Sequence, residues 1–82
     1  TSPRRFEATG TIIDILGDSA EINVDFQLNG ETRPLDCRFS DDLWDAYGEK
    51  LRYNQLIRVY GYCLTPKGPV TVLAVEFPGT DL

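Results

Sequence analysis

The segment Ala20–Phe39, AEINVDFQLNGETRPLDCRF, decides the fold of this chain. Polar and apolar residues alternate with a period of two on both sides of Asn29-Gly30, which is typical of strands with one buried and one wet side. Asn-Gly between two such runs is a strong signal for a tight hairpin turn. The inward-facing positions are Ala20, Ile22, Val24, Phe26, Leu28, Leu35, Cys37 and Phe39. The segment therefore predicts two antiparallel strands that share one apolar side.

Three further strands are predicted around this hairpin. Phe6–Leu16, FEATGTIIDIL, forms the first, and Gly10 inside it indicates a bulge or a sharp bend at a barrel corner. Ile57–Phe77, IRVYGYCLTPKGPVTVLAVEF, holds the last two, joined by a Pro-Lys-Gly-Pro corner. The predicted core of the whole domain contains Ile22, Val24, Phe26, Leu35, Phe39, Val59 and Val72.

One short helix is predicted near residues 41–47. Ser40 provides an N-cap hydroxyl, and the two aspartates that follow it favour the positive end of the helix dipole. Gly48 is a candidate for the residue that ends the helix. We expect Trp44 and Tyr47, on one side of this helix, to close an open end of a barrel formed by the five predicted strands.

The order strand, strand, strand, helix, strand, strand resembles the OB-fold, a five-stranded Greek-key barrel whose helix falls between the third and fourth strands. The stretch LRYNQLIRVYGYC, 51–63, is similar to the passage from helix to fourth strand in many such domains. The resemblance covers 6–77, a mainly β domain, with a flexible linker at 1–5 and a flexible tail at 78–82. An SH3-like barrel is the structural alternative, but it has no natural place for the helix.

Length and composition limit the classes of protein. The chain has 82 residues, a net charge of −5 and no histidine, the commonest general base and metal ligand. No apolar run is long enough to span a membrane and the sequence shows no signal-peptide pattern, so we expect a cytoplasmic domain. Because methionine is absent and both ends read as linker, we expect a module of a larger protein.

The two cysteines, Cys37 and Cys63, are too few for a disulfide scaffold. Each lies within an apolar run that is predicted to be a strand. We therefore expect both to be buried, reduced thiols that act as small apolar side chains.

The resemblance to the OB-fold implies that an oligonucleotide would bind across the second and third strands. Binding of single strands there needs outward aromatic rings and a basic groove. The outward residues of these strands are instead mostly acids and amides: Glu21, Asn23, Asp25, Gln27, Asp36 and Arg38. An acidic side without rings predicts poor binding of nucleic acid at the usual place.

A second candidate surface lies on the fourth strand, where Arg58, Tyr60 and Tyr62 alternate with apolar residues, and Lys67 follows in the next loop. Tyrosines at such positions are compatible with the plain exterior of a barrel. They are also compatible with a protein contact, because tyrosine and arginine are enriched at interface hot spots. Stacking of bases on the two rings is the third interpretation.

No enzyme is predicted, because no nucleophile has an adjacent base in the sequence. Asp25 and Asp36 are expected to face each other across strands. They would lie on an open side, where no desolvation would shift the pKa of either carboxyl group. The acids of the predicted helix lack the spacing of a calcium loop, so we expect no metal and no cofactor.

The function expected from the sequence is a non-catalytic OB-like module that mediates protein–protein or interdomain contacts. The alternative is a single-stranded nucleic-acid-binding domain that uses Arg58, Tyr60, Tyr62 and Lys67, helped by the Arg4-Arg5 arm. The negative net charge disfavours this alternative.

Overall fold

A computed structural model describes residues 2–79; Thr1 of the predicted linker and residues 80–82 of the predicted tail lie outside this range. The fold is mainly β, and the predicted order of elements is confirmed. The elements are β1 (Arg4–Leu16), β2 (Glu21–Leu28), β3 (Glu31–Arg38), α1 (Asp41–Tyr47), β4 (Leu56–Cys63) and β5 (Val70–Glu76). Short 3₁₀ turns cover Gly17–Ser19 and Gly48–Lys50.

The five strands close into a ring in the order β1-β2-β3-β5-β4. The long strand β1 makes this possible, because its first part pairs with β4 and its second part pairs with β2. Neighbours are antiparallel except β3 and β5, which pair in parallel only at Cys37–Val70 and Arg38–Thr71. The barrel is therefore held by four long antiparallel strand pairings and one short parallel pairing.

Gly10 is the point at which β1 meets both of its neighbours, opposite Phe26 on β2 and Ile57 on β4. A β-carbon at Gly10 would lie 2.4 Å from the backbone oxygen of Asp25. Only glycine allows the strands to approach so closely. The irregularity in the β1–β2 register itself comes slightly later, between Ile12 and Asp14.

The predicted hairpin turn is confirmed in its backbone conformation. Asn29 and Gly30 both have positive φ, 53° and 80°, as a two-residue turn with the twist of the flanking strands requires. Leu28 and Glu31 close the turn as a pair. This fixes the register that sends the apolar side of β2 and β3 inward.

All residues predicted for the core are buried. Phe26 is fully enclosed, and its ring meets Phe6 edge to face at 5.0 Å between centroids. Both cysteines are also buried and free, as predicted. Burial raises the pKa of the Cys37 thiol to about 12, and the nearby carboxylates of Asp36 and Glu21 add to the shift.

The helix begins as predicted, since the Leu43 N–H donates to Ser40 Oγ at 3.2 Å. Trp44 and Tyr47 pack on the core but stay half-exposed. The helix ends at Tyr47, directly before Gly48 as predicted, but Gly48 does not adopt the left-handed conformation of a terminating glycine. Its φ is −53°, and a 3₁₀ turn over Gly48–Lys50 follows the helix directly. Glycine fits here because the Trp44 ring lies over it, 3.2 Å from where a β-carbon would stand.

The start of the sheet differs from the sequence-based boundary. β1 begins at Arg4, and Arg4 and Arg5, assigned to the flexible linker, pair with Cys63 and Tyr62. The last residues of β4, Tyr62 and Cys63, provide backbone hydrogen-bonding partners for the residues before Phe6. Arginine adopts an extended backbone as readily as its neighbours do, so β1 starts earlier than the sequence predicts. Neither α1 nor any 3₁₀ turn within residues 2–79 has the length and apolar character needed to cross a membrane.

Candidate functional site

The outer side of β2 and β3 has the acidic character that the sequence predicts. Glu21, Asn23, Asp25 and Gln27 alternate with buried residues along β2. The basic side chains here are already paired, Arg38 with Glu21 and Arg33 with Glu31, each at 3.0 Å. No aromatic side chain belongs to this outer side among the described residues of the two strands. We call it the β2–β3 face.

Asp25 and Asp36 do not face each other, so that expectation is wrong. Asp25 lies opposite Pro34, and Asp36 lies opposite Asn23. The two-residue turn fixes this register, which places the two carboxylates two positions apart along the hairpin. Within residues 2–79, no group of three or more His, Cys, Asp and Glu side chains is arranged to hold a metal ion.

On β4, the alternation places Arg58, Tyr60 and Tyr62 outside, while the residues between them are buried. β1 lies on one side, with Glu7 opposite Tyr60 and Arg5 opposite Tyr62. β5 lies on the other side of β4. We call this outer side of β1, β4 and β5 the β4–β5 face.

Arg58 and Tyr60 belong to a polar cluster that spans three strands. Arg58 forms an ion pair with Glu7 and donates to Thr9 Oγ1 at 3.0 Å and to Tyr60 Oη at 2.9 Å. The Tyr60 hydroxyl donates in turn to Glu76. The hydrogen bond to Glu76 raises the pKa of Tyr60, and hydrogen bonds to Tyr60 and Glu7 raise the pKa of Arg58.

The two tyrosines are therefore not equivalent. The guanidinium carbon of Arg58 lies over the Tyr60 ring, 5.5 Å from its centroid, and the Tyr60 hydroxyl is engaged. One side of that ring is covered from within the molecule. Tyr62 is half-exposed, and the described residues give its hydroxyl no hydrogen-bond partner. Of the predicted pair, Tyr62 is the ring that is free to meet a ligand.

A bulge in β5 brings a leucine beside Tyr62. Val72 pairs with Gly61 and Ala74 pairs with Tyr60, which leaves Leu73 as the extra residue between them. Its side chain is 63% exposed. A groove of about 470 Å³ runs along this point, lined by Pro3, Arg5, Phe6, Tyr60, Gly61, Tyr62 and Leu73. We call the exposed and half-exposed side chains of this groove the Tyr62–Leu73 surface. They are Pro3, Arg5, Tyr60, Tyr62 and Leu73.

Lys67 lies apart from this surface. It lines a separate groove with Pro66 and with residues of β3, including Arg33 and Leu35. The structure thus brings Arg58, Tyr60 and Tyr62 onto one face and places Lys67 elsewhere.

Leu73 and Glu76 are not among the site residues expected from the sequence, and Arg5 is expected there only as part of a linker arm that helps in the nucleic-acid alternative. One signal for Leu73 was present in TVLAV, 71–75, because the two inward valines, Val72 and Val75, are three residues apart. That spacing breaks the strand period of two and indicates a bulge.

A larger groove, about 850 Å³, lies elsewhere, over the outside of β1 between β2 and β4. Leu56 and Ile13 are partly exposed there, among threonine and amide side chains. It contains no aromatic ring, and its one arginine, Arg58, is held by Glu7. Size alone does not make it a better site than the Tyr62–Leu73 surface.

Searches against protein-family models and against curated protein sequences find no match to the chain.

Proposed function

We propose that the chain is an OB-fold module that binds a partner protein or a neighbouring domain through the Tyr62–Leu73 surface. The closed five-strand ring, with the helix between β3 and β4, supports the assignment to the OB-fold. Because one fold hosts many functions, the fold alone assigns no partner. The function rests on the surface.

The observation that carries the proposal is the exposure of Leu73 on a bulge beside Tyr62. Full burial of an exposed leucine side chain contributes about 1.5–3 kcal/mol, and the isolated barrel leaves much of this gain unused because Leu73 is 63% exposed. Bulges serve to aim a side chain away from the regular alternation of a strand. Tyrosine and arginine next to the exposed leucine are the residue types that dominate binding energy at protein interfaces.

A non-catalytic role is part of this proposal. Both thiols are buried, and the pKa of Cys37, raised to about 12, keeps that thiol protonated at neutral pH. The short helix uses its Ser40 hydroxyl as a cap. These features support a non-catalytic role.

Single-stranded nucleic acid is the second candidate, and the juxtaposition of Arg5 and Tyr62 in one groove favours it. Sequence-tolerant binding of single strands uses several stacked rings along a basic groove. Here Tyr60 is engaged by Arg58 and Glu76, and the β2–β3 face is acidic. The engagement of Tyr60 and the acids of the β2–β3 face weaken the nucleic-acid candidate and favour a protein partner.

The proposal is tested with the chain as bait in quantitative co-purification from cells of its source. The bait is used as wild type, as Leu73→Asp and as Leu56→Asp, which places the same charge on another exposed leucine of the barrel. A protein recovered with wild type is identified, purified and titrated against all three. We expect Leu73→Asp to weaken binding by at least about tenfold and Leu56→Asp to leave it unchanged. Equal binding by Leu73→Asp and wild type would contradict the proposal.

A further inference from the structure

The Tyr62–Leu73 surface carries a positive charge in an acidic chain. The net charge is −5, yet Arg5 is the one charged residue that lines the groove. The ion pairs among residues 2–79 engage Arg33, Arg38 and Arg58, and none of them involves Arg5. Its guanidinium is exposed on the outer side of β1.

The carboxylates of Glu7 on β1 and Glu76 on β5, the strands that flank β4, are already engaged. Glu7 lies two residues after Arg5, on the same outer side of β1, and pairs with Arg58. Glu76, on β5, accepts the hydrogen bond of Tyr60. The internal cluster thus satisfies the acids of the β4–β5 face and leaves the arginine of the groove available to a ligand.

We infer that the surface takes a short acidic peptide segment that carries a bulky apolar side chain, an inference that rests on the proposed function. The apolar side chain packs against Leu73 and the Tyr62 ring. A carboxylate of the same segment pairs with Arg5, whose planar guanidinium matches a carboxylate with two parallel hydrogen bonds. Pro3 and Phe6 line the groove beside these contacts.

A basic segment does not fit this groove, because Arg5 would repel it at contact. A nucleic acid strand fits less well than a peptide. Leu73 offers no π-face on which a base can stack, and one side of the Tyr60 ring is covered by Arg58. The chemistry favours one carboxylate and one apolar side chain over a row of phosphates and bases.

The net negative charge of the barrel changes how such a segment responds to salt. Salt weakens the contact with Arg5 and also screens repulsion by the remaining acids, over a Debye length of about 8 Å at physiological ionic strength. These two effects oppose each other. We therefore expect the affinity to vary little with salt, whereas binding of a polyanion by counterion release falls steeply.

The experiment is a selection of short random peptides, displayed on phage, against the wild-type chain, with Leu73→Asp used for counter-selection. Selected sequences are synthesised with a fluorescent label, and their binding is measured by anisotropy. We expect sequences that combine Asp or Glu with Phe, Leu or Trp. Arg5→Ala and Tyr62→Ala should each weaken binding about tenfold, Arg5→Lys should weaken it less than Arg5→Ala, and Leu56→Asp should not change it.

Enrichment of basic peptides, no enrichment, or binding that Arg5→Ala leaves unchanged would each overturn the inference. Tighter binding of a labelled oligothymidine than of the peptides, lost in Tyr62→Ala, would overturn it in favour of nucleic acid. The proposed function fails separately, when a purified partner binds Leu73→Asp as well as wild type. A partner that needs Leu73 but contacts it through a non-acidic segment overturns the inference alone.

Discussion

The two outer faces of this barrel are built from the same kind of strand but differ in regularity. On the β2–β3 face, the period of two is unbroken along β2, and its basic side chains pair with acids. On the β4–β5 face, a bulge interrupts β5 and leaves Leu73 exposed beside Tyr62. The regular face is explained by folding alone. The irregular face leaves an apolar side chain mostly exposed to solvent, and we propose that a partner covers it.

Two contacts between neighbouring strands, β1 with β2 and β4 with β5, each depend on a glycine. Gly10 allows β1 to approach Asp25 on β2, and Gly61 allows β4 to approach Thr71 on β5. A β-carbon at Gly61 would lie 1.9 Å from the Thr71 backbone oxygen. This contact sits next to the bulge, so Gly61 and Leu73 are parts of one local arrangement.

The largest effect is expected for Gly61→Ala, which should lower the free energy of unfolding by about 3 kcal/mol, because the new methyl group collides with backbone that cannot move aside. Urea denaturation measures it. Gly17→Ala is the matched control, since its nearest neighbour, the Trp44 ring, would lie 4.0 Å away. A loss below about 1 kcal/mol for Gly61→Ala would show that the strands of the β4–β5 face are not held at this spacing.

A smaller effect is expected at alkaline pH, from the thiol on the inner side of β3. Because the pKa of Cys37 rises from 9.0 to about 12, the unfolded chain releases this proton first as pH increases. Stability is therefore lost as pH rises through this window, by about 1 kcal/mol between pH 9 and pH 10. The free energy of unfolding, measured by urea at each pH, should fall less steeply in Cys37→Ala. Equal slopes in the two proteins would contradict burial of the thiol.

The polar cluster of the β4–β5 face predicts a late-titrating tyrosine. The hydrogen bond to Glu76 raises the pKa of Tyr60, so its phenol should ionise above the ordinary range. Stability contributed by this bond is lost as pH rises beyond the ordinary tyrosine pKa, because the unfolded phenol ionises first. Ultraviolet absorption titrations of wild type and Tyr60→Phe isolate this phenol. Glu76→Gln should bring its pKa down; no change in Glu76→Gln would remove Glu76 as the cause.

The smallest signal is expected from nucleic acid. A labelled oligothymidine at low salt should bind weakly at most, because the net charge is −5 and the β2–β3 face carries acids in place of rings. Tyr60→Ala and Tyr62→Ala should then change little. Micromolar binding that falls with salt, and that either substitution weakens by about 1–3 kcal/mol, would support the nucleic-acid alternative instead.

The sequence predicts features that depend on neighbours along the chain. The alternation around Asn29-Gly30 gives the hairpin and its register, and Ser40 gives the start of the helix. The order of these elements indicates the barrel. Local signals are sufficient here because turn chemistry and capping act over a few residues.

The candidate site depends on contacts that the local pattern does not encode. Arg58 pairs with Glu7, 51 positions earlier, and Tyr60 pairs with Glu76, 16 positions later. Only the register of β4 between β1 and β5 brings these groups together. For the same reason, Arg5 reads as linker in the sequence and lies beside Tyr62 in the sheet.

The most direct test of the difference between the faces is site-specific photo-crosslinking. Benzoylphenylalanine is introduced in place of Leu73, or in place of Gln27, an exposed residue of the β2–β3 face. Both chains are irradiated in cells of the source, and the adducts are identified by mass spectrometry. We predict a crosslink to one protein partner from position 73 and none to that partner from position 27. Crosslinks from position 27 alone, or a nucleic acid adduct from position 73, would contradict the assignment of the β4–β5 face as the protein contact surface.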